Sequence, residues 1–276
     1  MKKILSALLL IFAMLLSACG EVKYEIENGI MYGDGKEASG TFEFKANEHK
    51  VKGNFVNGLP DGLFEEYYED GSIMAKNTFV NGELTVKELY YKNGKLMAIF
   101  TENDDLKLFY NDGSPIMSYD AEKNEATYYH ENGNILMVNN NYEATLYDEN
   151  NEVLSVLREG EPVDIGANLK KLEDGSFETV KNGKVLSKLD SNGDIRNYFY
   201  STGELLLKSN DNTGELEFFF KNGNTFMRVE GNERILNYKD GKILYEMDGD
   251  LENIYSEDGN KIVGSLEVIT DIKKID

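Results

Sequence analysis

The chain has 276 residues, of which 50 are Asp or Glu and 29 Lys or Arg, for a formal charge of -21. Such a body repels nucleic acid and anionic lipid, while 41% hydrophobic residues and only 3 prolines exclude a disordered tail. One cysteine, Cys19, excludes an intramolecular disulfide.

The opening MKKILSALLLIFAMLLSACG pairs a basic start at Lys2 and Lys3 with an apolar run from Ile4 to Leu16. That run is shorter than the roughly 20 residues of a membrane span and reads as a secretory signal over residues 1–18. Leu16-Ser17-Ala18-Cys19 resembles the lipobox of bacterial lipoproteins, so Cys19 is expected to carry acyl chains that hold the protein at a membrane. Loss of Lys2 and Lys3 with the signal leaves 27 basic against 50 acidic residues, or -23.

Residues 19–40 are acidic and glycine-rich, the composition of a spacer, with one alternating run at Val22 to Ile26 and room for a first strand at its end. From Thr41 the pattern is of hairpins. Asn57-Gly58 and Asp70-Gly71 close apolar runs, and tight hairpin turns need positive φ at their central residues. An aromatic stands three positions before a glycine in Tyr68/Gly71, Tyr91/Gly94, Tyr110/Gly113, Tyr200/Gly203, Phe220/Gly223 and Tyr238/Gly241. Tyr129/Gly133 and Tyr255/Gly259 read as the same unit with one residue added to the loop, and Tyr147 likewise with Asn151 in the glycine's place. The period is about 20 residues, two strands and two turns. Alternation such as Leu106/Leu108/Tyr110 argues against helix.

The expected fold is therefore all-β: an elongated repeat of consecutive antiparallel hairpins in an open sheet, with no significant helix beyond the signal. A first block spans 41–157. REGEPVDIGANL, with Pro162 and Gly166, makes an irregular break over 158–169; a second block spans 170–269, and 270–276 read as a frayed tail.

The unit GNFVNGLPDGLFEEYYEDG resembles the MORN-repeat variant of bacterial secreted and lipid-anchored proteins, often catalogued under the YwqK label as antitoxins. Gly53, Phe55, Asn57, Gly58, Gly62, Phe64, Tyr67, Tyr68 and Gly71 stand on the matching positions. The resemblance is good over 50–100 and fades to turn-plus-aromatic similarity over 101–260. It implies a sheet of hairpins used as a binding platform, and no catalytic residues.

Chemistry is sparse. His49 and His130 are the only histidines and sit in turn-like polar contexts, which gives no metal site. Glu65, Glu66, Glu69 and Asp70 crowd one strand, where neighbours point to opposite faces rather than across a cleft. Asp190 to Asp194 resembles the start of a calcium loop, but Ile195 stands where the loop glycine belongs. No catalytic residue, metal or cofactor is expected.

Adjacent tyrosines carry the functional expectation. If Tyr68, Tyr91 and Tyr129 pack inward, then Tyr67, Tyr90 and Tyr128 line the opposite face as a partner-binding row, rimmed by Glu65 and Glu88. The leading reading is a non-enzymatic binding module. It would be lipid-anchored at the cell envelope: at the outer membrane of a Gram-negative cell, or the outer leaflet of a Gram-positive cell membrane. It would contact an unidentified protein or envelope glycan, and no nucleic acid. A structural or adhesive lipoprotein is the alternative, and an envelope hydrolase a distant third.

Overall fold

The computed structural model describes residues 22–46, 48–248, 251–262 and 269–275. The signal segment, Cys19 and Asn47 lie outside the described residues. Among those described there is no helix; the protein is all-β, and paired strands are antiparallel. Two compact units divide it, one of residues 1–113 with 264–276, the other of 114–263.

In the first unit the main sheet runs Ile269–Lys274, Gly40–Ala46, His49–Val56, Gly62–Tyr67, Ile73–Val80, Glu83–Tyr90, Leu96–Thr101, Leu106–Phe109, with Leu59–Pro60 beside His49–Val56. Alternation decides its faces. Phe42, Phe44, Val51, Phe55 and Phe64 turn to one side and are at most 3% exposed. Their rings meet edge to face, Phe42 on Phe55 at 5.7 Å and Phe55 on Phe64 at 5.2 Å, the geometry that opposes ring edge to π-face. Gly53 has no alternative here, because a Cβ would lie 2.2 Å from Cδ1 of Phe64.

Both termini of this unit are more ordered than the sequence suggests. The segment taken as a spacer holds three strands, Tyr24–Glu27, Ile30–Gly33 and Lys36–Glu37. Tyr24 meets Phe42 edge to face at 5.0 Å, Met31 is fully buried, and backbone bonds from Met31 N to Gly58 O and Gly58 N to Ala38 O tie these strands to the Asn57-Gly58 turn. Apolar side chains at Tyr24, Ile26 and Met31 close one end of the core, a gain that acidic composition alone concealed. The tail is not frayed either, since Ile269–Lys274 pairs with Gly40–Ala46 and Ile272 packs on the core.

The second unit has two sheets. The first runs in chain order from Pro115–Asp120 to Glu161–Pro162, the second from Asn168–Lys171 to Leu251–Ile254. The chain leaves one at Pro162 and enters the other at Asn168. Contacts between them follow a fold-back: Glu131 pairs with Lys239 at 2.9 Å and Glu149 with Lys221 at 3.0 Å, later positions on the first sheet meeting earlier positions on the second.

One turn unit recurs in both. A residue donates its N–H to the carbonyl four positions on, and accepts a bond from the glycine three positions on, as at Tyr68, Tyr91, Tyr200, Phe220 and Tyr238. His130 with Gly133, Asp148 with Asn151 and Ser256 with Gly259 make the same bonds. The loops at these places are therefore not lengthened, as the aromatic alignment suggested. The aromatic position itself is taken by His130, Asp148 and Ser256, and Tyr129, Tyr147 and Tyr255 each precede it. Asn151 adopts φ +65°, which asparagine tolerates.

Tyrosine at this position locks one repeat to the next. Tyr68 Oη donates to Tyr90 O at 2.7 Å, Tyr91 Oη to Phe109 O at 2.8 Å, Tyr200 Oη to Phe219 O at 2.7 Å and Tyr238 Oη to Tyr255 O at 2.8 Å. His130 Nε2 lies 3.1 Å from Tyr147 O; because a carbonyl only accepts, Nε2 carries the proton.

Candidate functional site

The outer face of the first unit is built by register. Lys273, Glu43, Lys52, Glu65, Lys76 and Glu88 stand directly opposite one another on successive strands, so charge alternates across the sheet. Opposed unlike charges support strand pairing modestly and leave no large single-sign field.

Tyr67 and Tyr90 lie on this face, two positions beyond Glu65 and Glu88 on the same strands. Tyr67 Oη donates to Glu65 Oε2 at 2.8 Å and Tyr90 Oη to Glu88 Oε2 at 3.0 Å. Lys50 Nζ lies 5.8 Å from the Tyr67 ring centre and Lys76 Nζ 5.4 Å from that of Tyr90, within cation–π range. Both phenols are pushed up to about 12, first by partial burial and then by the neighbouring carboxylate. Each ring is thus half-buried, pinned at its hydroxyl and flanked by an ammonium. An open depression of about 470 Å³ beside Tyr67 is lined by Glu43, Lys45, His49 and Lys50.

Tyr128 does not join this row. It belongs to the second unit, is 4% exposed, and lies on a strand between Met117 and Met137. Burial holds its phenol above the ordinary value, with the Arg234 charge opposing. Tyr129 directly precedes the turn position taken by His130, as Tyr67 precedes Tyr68, so Tyr128 stands at the place of Glu66 on the other face, beside the buried Met117; the expected facing of Tyr128 and Tyr129 is reversed.

The other faces carry polar groups that the sequence did not single out. On the inner face of the first unit, Glu66, Asn77 and Lys87 interrupt an apolar surface on three adjacent strands. Burial raises the Glu66 carboxyl, against the pull of His49 and Lys87, and lowers the Lys87 ammonium. Asn77 Oδ1 is buried without a hydrogen-bond partner.

In the second unit an acidic clasp joins the sheets. Asp148, fully buried, accepts bonds from the N–H groups of Asn150 and Glu152 and from Lys184 Nζ at 2.6 Å. Glu149 accepts from Ser201 N at 3.2 Å, from the Ser201 hydroxyl, and from Lys221 Nζ at 3.0 Å. Burial alone would raise Glu149, but the bonds from Ser201, its own backbone and Lys221 outweigh it and hold the carboxyl at about 2. His130, expected in a solvated loop, is 4% exposed and rests on the Tyr200 ring at 5.8 Å; burial keeps it neutral. Its Nε2 is used by a backbone carbonyl. Asp190 accepts from Asp194 N and Ile195 N, closing its own turn. Among the described residues no group of three or more His, Cys, Asp or Glu is placed to hold a metal.

No curated protein matches the chain. Solved structures that align with it include the TCP10 domain of Danio rerio CPAP in complex with a peptide of Danio rerio STIL. There the identity is 14%, covering 75% of this chain and 99% of that one, at a TM-score of 0.23. Virginiamycin B lyase from Staphylococcus aureus aligns at 13% identity over 86% of this chain and 85% of its own, with a TM-score of 0.18. Residues 60–81, from the Pro60 turn to the Asn81 turn, match the MORN repeat variant. The protein is an all-β hairpin-repeat protein that carries a MORN repeat variant in its first unit.

Proposed function

We propose that this is a non-enzymatic binding platform, lipid-anchored at the cell envelope through Cys19, that engages a protein or envelope glycan along the outer face of its first unit. The observation that carries the reading is the pair Tyr67 and Tyr90, two large rings fixed by Glu65 and Glu88 on the segment that matches the repeat variant or next to it. Rings held in place lose little freedom on binding and offer both an apolar face and a polar tip, the combination enriched at contact hot spots. Flanking lysines and carboxylates suit hydrogen-bonding partners of either sign, glycans included. An antitoxin role, which the YwqK resemblance implies, is the case in which the partner is a protein toxin.

The alternating charge row favours a second reading, a structural or adhesive lipoprotein, because it satisfies itself within the sheet. One experiment separates the two: the mature protein, immobilised, is exposed to solubilised envelope. A stoichiometric partner supports the platform, and none supports the structural reading. The anchor is tested apart from this by Cys19→Ala, which should move the protein from the membrane fraction to the soluble fraction; continued membrane association would remove the lipoprotein reading.

A further inference from the structure

In the first unit's main sheet all neighbouring strands but one pair lie close to each other in the chain. The exception is Ile269–Lys274, whose pairing begins at Ala46 with Ile269, 223 positions later. It covers the edge formed by Gly40–Ala46, whose Phe42, Phe44 and Ala46 are the most completely buried run of the unit. An apolar edge of this kind templates pairing with another chain unless it is covered.

The cover is lightly held. Gly40–Ala46 pairs with His49–Val56 through seven unbroken positions, but with Ile269–Lys274 the register breaks between Thr270 and Lys273. At the break Asp271 has φ +55°, a conformation unfavourable for a residue with a Cβ. Ile272 packs on the core while only partly buried, and Lys45 to Asp271, at 3.1 Å, joins two side chains that are each more than half exposed. The chemistry is nonetheless specific: an apolar residue toward Phe42 and Phe44, an acid near Lys45, and Lys273 opposite Glu43.

We propose that Gly40–Ala46 is an exchangeable strand-addition site, at which Ile269–Lys274 of a second copy of this chain replaces the chain's own strand. A strand brought to an edge from a remote part of the sequence makes the same contacts whichever copy supplies it, which is the condition for strand exchange. This site lies along the sheet edge and does not depend on Tyr67 or Tyr90.

The test uses two chains, both carrying Cys19→Ala, one with Lys45→Cys and the other with Thr270→Cys, positions that are register partners. Mixed and oxidised, they should form a disulfide-linked heterodimer, absent when Lys107→Cys replaces Lys45→Cys. Adding Ile272→Asp to the Thr270→Cys chain should abolish the crosslink; if that chain loses its fold, Lys273→Glu, which sets like charge opposite Glu43, should weaken it instead. A chain carrying both cysteines should close internally, which reports the pairing. Internal closure without heterodimer above the Lys107→Cys background would overturn exchange. Failure to close internally would remove the pairing and the proposal with it.

Discussion

Tyr68 donates its phenol hydroxyl to the backbone carbonyl of Tyr90, 2.7 Å away and 22 positions later in the chain. The bond spans one repeat, and its equivalents at Tyr91, Tyr200 and Tyr238 make the aromatic position a fastener as well as a core residue. Tyr68→Phe keeps the ring and loses the bond. Urea unfolding should show a loss of about 1 kcal/mol with unchanged slope, the usual net worth of one hydrogen bond. A loss below the error of the measurement would mean that water replaces the phenol at Tyr90 O.

The outer-face phenols make a titration prediction. Tyr67 and Tyr90, held at about 12, should ionise well after ordinary exposed tyrosines when absorbance is followed with rising pH. Glu65→Gln should bring one phenol down toward its ordinary value and leave the other in place. If the high-pH ionisations do not move, the bond from Tyr67 to Glu65 is not formed in solution.

In the second unit, Glu149 ties stability to pH. Its folded value of about 2 lies below the ordinary 4.5, so the stabilisation is fully present above pH 4.5 and is lost as pH falls through about 2. Its size is on the order of 3 kcal/mol. Glu149→Gln should lower the unfolding midpoint at pH 7, and the gap to the parent should shrink steadily below pH 4. A gap independent of pH would show that the carboxylate charge does not hold the two sheets.

Inside the first unit the sign is reversed. Burial raises Glu66 and lowers Lys87, so each charge opposes folding near neutrality. The contribution favouring the protonated Glu66 is complete below its unfolded value and lost as pH rises through the folded one. Glu66→Leu with Lys87→Met should stabilise the protein by roughly 1–4 kcal/mol, as when other buried charge pairs are replaced by apolar residues. Destabilisation by the double change would mean that the charges hold a specific local arrangement.

Asn57-Gly58 and Asn81-Gly82 announce hairpins, and all four adopt positive φ, because the local turn chemistry suffices. Alternation placed Tyr67 and Tyr90 on the face opposite the core for the same reason. His130 and Asp148 were missed as members of the repeat because the alignment followed aromatic side chains, whereas the turn is defined by backbone bonds that any side chain permits. Counting three positions back from Gly133 and Asn151 would have found them. The same count puts Tyr129 at the place of Tyr67 and so turns Tyr128 to the face of Glu66. Glu149 could not be placed, because its partner Lys221 lies on another sheet, 72 positions away, and no local pattern encodes that fold-back.

Binding and stability measured together test the outer face most directly. Tyr67→Ala with Tyr90→Ala should abolish capture of the envelope partner while the melting temperature stays within a few degrees of the parent, since both rings stand outside the core. Retained capture of that partner by a folded double variant, or unfolding of the variant, would contradict the claim that this face is the binding surface.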